Sequence, residues 1–168
     1  PAGIDVETFS ALAHEHVEEA GGEYVPEMVV AVERDGEGFL VESQDGRSVT
    51  TRYLVAAAWY DGSYLRPLGD AAMFEEHEHH GEREERFDPD YPDVDGRTPV
   101  DGLYVTAPAD DRNAQAVVSA GQGAHVARCL IEDHRRARGY PDGVLATHYD
   151  WLRPESEFAG EWADRDRW

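Results

Sequence analysis

Leu103-Tyr104-Val105-Thr106-Ala107-Pro108 is followed by a helical pattern from about Asn113 to Ala137, a strand-turn-helix order. The four residues from Leu103 have buried-strand character, and a polar turn through Pro108, Asp110 and Asp111 follows them. In the helix, Ala116, Val117, Ala120, Ala124, Ala127, Leu130 and Ile131 recur on one side. Arg135, Arg136 and Arg138 complement the negative end of its dipole, and Gly139-Tyr140-Pro141 stops it. An earlier run, Tyr53-Leu54-Val55-Ala56-Ala57-Ala58, is apolar without alternation, as expected of a strand covered on both faces in a parallel sheet. The two strands are expected to lie parallel in one layer, so that the helix starting near Gln115 points toward a crevice at their ends.

Working outward, Asp5 is an N-cap for an amphipathic helix with Val6, Phe9, Leu12, Ala13, Val17 and Ala20 on one face, stopped by Gly21-Gly22. Met28 to Val32, Phe39 to Val41 and Val49 to Arg52 read as a three-stranded β-meander, turning at Asp35-Gly36 and Asp45-Gly46. Residues from about 60 to 102 are rich in charge and proline and weak in periodicity, and are expected to form a long acidic loop. One domain is expected over residues 1–140, with an aromatic-rich tail at 141–168 carrying Tyr149, Trp151, Phe158, Trp162 and Trp168. The tail is expected to wrap its own core, a contact between two copies of the chain being the alternative.

The formal net charge of −21 demands salt or bound counter-ions to screen self-repulsion, and argues against nucleic acid as a partner. All 15 basic residues are arginine, which together with the acidic excess suggests adaptation to high salt. The lone Cys129 cannot form an internal disulfide, in keeping with a reducing compartment. No apolar run reaches the roughly 18 residues of a membrane span, and no signal pattern opens the chain, so a cytoplasmic location with no membrane contact is expected.

The ordered set of motifs resembles the thioredoxin-reductase-like group of FAD-dependent pyridine nucleotide-disulfide oxidoreductases. The strand at Leu103, the opening Gln115-Ala116-Val117 and the continuation Ala120-Gly121-Gln122-Gly123-Ala124 are similar to that family's closing strand-turn-helix unit. Pro1-Ala2-Gly3-Ile4, the first helix and Gly21-Gly22-Glu23 are similar to the stretch that follows its N-terminal dinucleotide unit. The resemblance covers residues 1–60 and 97–135. It implies an α/β, Rossmann-like FAD/NAD(P)-binding domain, built of a parallel sheet with helices plus the antiparallel meander and incomplete at its N-terminus. It also implies FAD as cofactor, with Asp110, Asp111, Gln115, Ala116 and Val117 against the flavin.

Departures from the family are as informative. The Gly-x-Gly-x-x-Gly turn that approaches a pyrophosphate is absent from these residues. About 50 residues, one βαβ unit with its lead-in, are expected to precede the chain, and that segment or a second chain to complete the sheet. Trp59 stands where the family has a small residue, and Pro108 where it has the Asp of a Gly-Asp pair. Residues 60–102 are too short and polar for the family's NADPH domain, and no Cys-x-x-Cys occurs, which excludes a working thioredoxin reductase. A degenerate relative serving binding or assembly is therefore the alternative to an oxidoreductase of unknown substrate.

No catalytic residue and no metal ligand set is assigned from the sequence. His77, His79 and His80 among Glu75, Glu76 and Glu78 read as a solvated acidic loop, with a metal site as the alternative, although their spacing matches no defined one. His125 and Cys129, four apart on a helix, read as ordinary packing, with a nucleophile pair as the alternative.

Overall fold

The computed structural model describes residues 5–57, 62–79, 81–106 and 116–142. The first helix, α1 (Val6–Glu19), starts where Asp5 caps it: the Asp5 carboxylate accepts from the Thr8 backbone N–H at 2.8 Å and from the Thr8 hydroxyl at 2.9 Å. It stops where Gly22 N–H reaches back to the Val17 carbonyl at 2.8 Å, with Gly21 in the left-handed region at φ 83. Its apolar stripe buries no residue, and Val6 is 84% exposed.

The meander forms as expected. β1 (Val29–Asp35), β2 (Gly38–Ser43) and β3 (Ser48–Thr51) pair antiparallel in sequence order, with Val32 opposite Val41 and Val41 opposite Val49. Val32 and Phe39 carry the meander's inner face into the core. β4 (Leu54–Ala56) follows, shorter than the apolar run suggested, and is covered on one face only: Ala56 is buried while Val55 is 40% exposed.

The segment expected to be an acidic loop is instead a layer of the fold. Two 3-10 turns, Ser63–Leu68 and Ala71–Met73, lead into a hairpin of β5 (Phe74–His79) and β6 (Glu82–Phe87). Leu65, Met73 and Phe87 join Val32, Phe39, Ala56, Leu103 and Val105 in one core. The apolar residues responsible are few and lie at the base of the hairpin. Beyond Phe74 both of its faces are polar, so no alternation betrays the strands. Cross-strand pairs Arg86–Glu75 at 2.9 Å and Arg83–Glu76 at 3.5 Å hold them in register instead. At the base, Phe74 and Phe87 meet edge to face at 6.1 Å, and Phe87 meets Tyr91 likewise at 5.9 Å.

β7 (Leu103–Val105) returns beside β4 and runs parallel to it, pairing Leu54 with Leu103, Val55 with Tyr104 and Ala56 with Val105. The chain is thus mixed α/β, with two small antiparallel sheets and, among the described residues, a parallel sheet of two strands. Among these residues no helix is long and apolar enough to cross a membrane. The last helix, α2 (Ala116–Ala137), packs on β7 through a face the sequence did not advertise. Val126, Cys129, His134 and Arg135 are buried, whereas Ala116, Val117, Ala120, Ala124, Ala127 and Ile131 face outward. Alanines offer little area to bury, and the opposite face carries the groups that β7 and its preceding loop bind.

Met73→Ala, deep in the segment that reads as a loop, should cost about 2–4 kcal/mol in urea unfolding at fixed molar KCl. Val94→Ala, at a position 96% exposed, should stay within about 0.5 kcal/mol. Equal small effects at both positions would show that the hairpin layer contributes nothing to the core.

Candidate functional site

The chemistry-bearing side chains gather where the loop before β7 meets α2. In that loop the Asp93 carboxylate accepts from the backbone N–H of both Asp95 and Arg97 at 2.9 Å, closing a tight turn. The Gly96 carbonyl then accepts from Val105 N–H at 2.8 Å, which ties the turn to β7. Gly96 sits at φ 79, and a Cβ there would lie 2.6 Å from Val126 and 2.7 Å from the Val105 carbonyl. Only glycine lets the loop approach both the strand and the helix.

Arg97 joins the two sides. Its Nε and Nη2 donate to Asp133 of α2 at 2.6 and 3.2 Å, and Nη1 donates to Asp95 at 2.5 Å. The Tyr104 hydroxyl on β7 also donates to Asp133, at 3.1 Å. Burial opposes ionisation of Asp133, yet the Arg97 guanidinium and the Tyr104 hydroxyl hold its carboxyl below the usual range. Burial, with Asp133 adding to it, pushes the Tyr104 phenol far up.

Beside this network lie Asp95, His125 and Cys129, whose ligand atoms all fall within 4.8 Å of one another. Asp95 Oδ1 stands 2.9 Å from His125 Nε2, and Cys129 Sγ stands 3.8 Å from the same nitrogen. A carboxylate can only accept, so Nε2 carries the proton, and Nδ1 accepts from Arg128 Nη2 at 3.4 Å. His125 and Arg97 hold the Asp95 carboxyl below its usual range. Burial and the Asp95 charge push the Cys129 thiol up. Asp95 and Cys129 thus face the same ring nitrogen, and Nε2, which donates to the carboxylate, has no lone pair with which to take the thiol proton.

A cleft of about 440 Å³ opens next to His125, lined by Asp90, Asp93, Gly96, Thr106, Gln122, Val126 and neighbouring prolines. It lies at the carboxyl ends of the parallel strands, where Thr106 N–H donates to the Ala56 carbonyl at 2.9 Å. Of the residues expected to face a flavin, Asp110, Asp111 and Gln115 lie outside the described residues, as do Trp59, Pro108, His80 and the tail beyond Asp142. Ala116 and Val117 open α2 and are exposed, Val117 by 66%. His77 lies in the β5–β6 hairpin opposite Glu84, away from the cleft. Asp95, Arg97, Tyr104 and Asp133 were missed in the sequence, because nothing in local spacing links a turn aspartate to a helix 30 residues on.

Asp133→Asn should lower stability by about 1–3 kcal/mol near neutral pH, since Arg97 and Tyr104 lose their charged acceptor. Because the folded carboxyl titrates lower than the unfolded one, its contribution is complete above pH of about 3.9 and is lost as pH falls through the folded value. Acid unfolding at constant KCl should therefore be shallower in the variant. Parallel acid limbs in the two proteins would remove Asp133 from the account. A scan against protein-family models finds none that matches, and no curated protein matches the sequence.

Proposed function

We propose that this chain is a flavin-nucleotide-binding domain of an FAD-dependent oxidoreductase-like protein, with its ligand in the cleft beyond β4 and β7. One observation carries the reading: two strands joined by a long crossover lie parallel and in register, with α2 after the second and a cleft at their carboxyl ends. Open α/β layers bind ligands at that place, because loops there converge on the amino ends of the following helices. In this reading the cleft takes the ribityl and ring portion of a flavin. The Asp90 and Asp93 carboxylates suit hydroxyl donors and repel phosphate, so the pyrophosphate lies away from them. The protein supplies position and electrostatics, and the flavin supplies the redox chemistry.

The acidic cleft wall also favours a second reading, a non-catalytic relative that keeps the layer for binding or assembly. The exposed stripes of α1, with Phe9 at 43%, and of α2, with Val117 at 66%, suit a further segment or second chain in that role. Purification of the full-length protein in molar KCl, with an absorption spectrum before and after incubation with FAD, separates the two. The flavin reading expects yellow protein, or uptake of about one FAD per chain with quenched flavin fluorescence. Protein that stays colourless and leaves FAD freely dialysable rejects flavin binding and leaves the second reading.

A further inference from the structure

We propose that Asp95, His125 and Cys129 form a zinc site whose open coordination position faces the cleft. The inference stands apart from flavin binding, because it rests on a different wall of the site. Three donors of three kinds, oxygen, nitrogen and sulfur, converge within 4.8 Å of one another from the turn before β7 and from α2. Tetrahedral zinc, with bonds of about 2.0–2.3 Å, places its ligand atoms about 3.3–3.6 Å apart. The present separations of 2.9 Å between Asp95 and His125 and 3.8 Å between His125 and Cys129 bracket that value. Sub-ångström side-chain movements would bring both pairs onto it.

The donor set selects the ion. Thiolate and imidazole are poor ligands for calcium and magnesium, which take oxygen, and good ones for zinc. Asp95 and a thiolate together neutralise a dication, and the surrounding chain, at −21, supplies further attraction. On binding, the Cys129 S–H bond breaks as the zinc–sulfur bond forms and the proton leaves to solvent. His125 shifts its proton from Nε2 to Nδ1 and coordinates through Nε2. Arg128 then gives up its contact with Nδ1 and keeps Glu132, which already holds it at 3.3 Å.

The supporting shell is in place for that exchange. Arg97 grips the outer oxygen of Asp95, which keeps Oδ1 aimed at the site, and is itself anchored by Asp133. Asp93 fixes the backbone on both sides of Gly96, so the Asp95 side chain springs from a closed turn. His125 borders the cleft, whereas Cys129 is 2% exposed, so the thiolate lies on the inner side and the vacancy on the outer. Three protein ligands with a fourth position open to a cleft is the arrangement zinc adopts where it polarises a water or a bound oxygen ligand.

The test uses the full-length protein in molar KCl, freed of metal with a chelator and titrated with Zn²⁺ alone and with Co²⁺ alone. We expect about one tightly held zinc per chain, and a near-ultraviolet thiolate-to-cobalt band in the Co²⁺ form. Cys129→Ser should abolish the band, and Cys129→Ser and His125→Ala should each weaken zinc binding at least tenfold with circular dichroism unchanged. Arg97→Gln, a positioning change, should keep the band and weaken binding about tenfold or more. His77→Ala in the hairpin should change nothing. A folded protein without the cobalt band, zinc held as tightly by Cys129→Ser or His125→Ala, or zinc lost in His77→Ala would overturn the site. Zinc without flavin, or flavin without zinc, would separate this inference from the flavin reading.

Discussion

The guanidinium of Arg97 is held by two carboxylates on two different elements, and the arrangement of everything around the cleft follows from that. Arginine presents several N–H donors in a rigid plane, so one side chain satisfies Asp133 with two of them and Asp95 with a third. Asp133 must then face inward, and helical periodicity turns Val126, Cys129 and the cleft-lining Gln122 and His125 the same way. The inward face of α2 thus combines this ion pair with the buried Val126 and Cys129.

The same economy runs through a chain with 36 acidic and 15 basic residues. Arginines are placed where one cation serves two purposes. Arg66 pairs with Glu85 at 2.6 Å while its guanidinium lies 4.2 Å over the Phe74 ring. Arg47 meets Glu23 at 2.9 Å and Glu27 at 3.6 Å, joining the segment after α1 to the meander. Lysine, a point charge without a stacking plane, would serve such positions less well. Exposed pairs of this kind each contribute little to stability; those across the β5–β6 hairpin, Arg86–Glu75 and Arg83–Glu76, link its two strands.

Much of the architecture was legible in the residues. The Asp5 cap, the Asp35-Gly36 and Asp45-Gly46 turns and the alternation between them carry local signals, and the structure places α1 and the meander accordingly. The parallel partnership of Leu54–Ala56 with Leu103–Val105 was expected from the family resemblance and the apolar character of the two runs, although β4 is covered on one face only. The hairpin at Phe74–Phe87 was not, because its strands are charged on both faces and pair through ions. The inward face of α2 is hidden for a related reason: hydrophobic periodicity selects the alanine stripe, whereas the inward face carries Val126, Cys129 and the charged Asp133.

The caps, the turns and the meander follow from residues close together along the chain, and local signals specify them. The sequence also set the net charge of −21 that salt or counter-ions must screen. That a segment rich in glutamate contributes Leu65, Met73 and Phe87 to the core emerges only from the folded chain. Only it brought Asp95 to His125 and Cys129, because that meeting requires the loop at Gly96 to close on Val126 and Arg97 to bridge two carboxylates. Both conditions are long-range, and residue spacing along the chain carries no record of them.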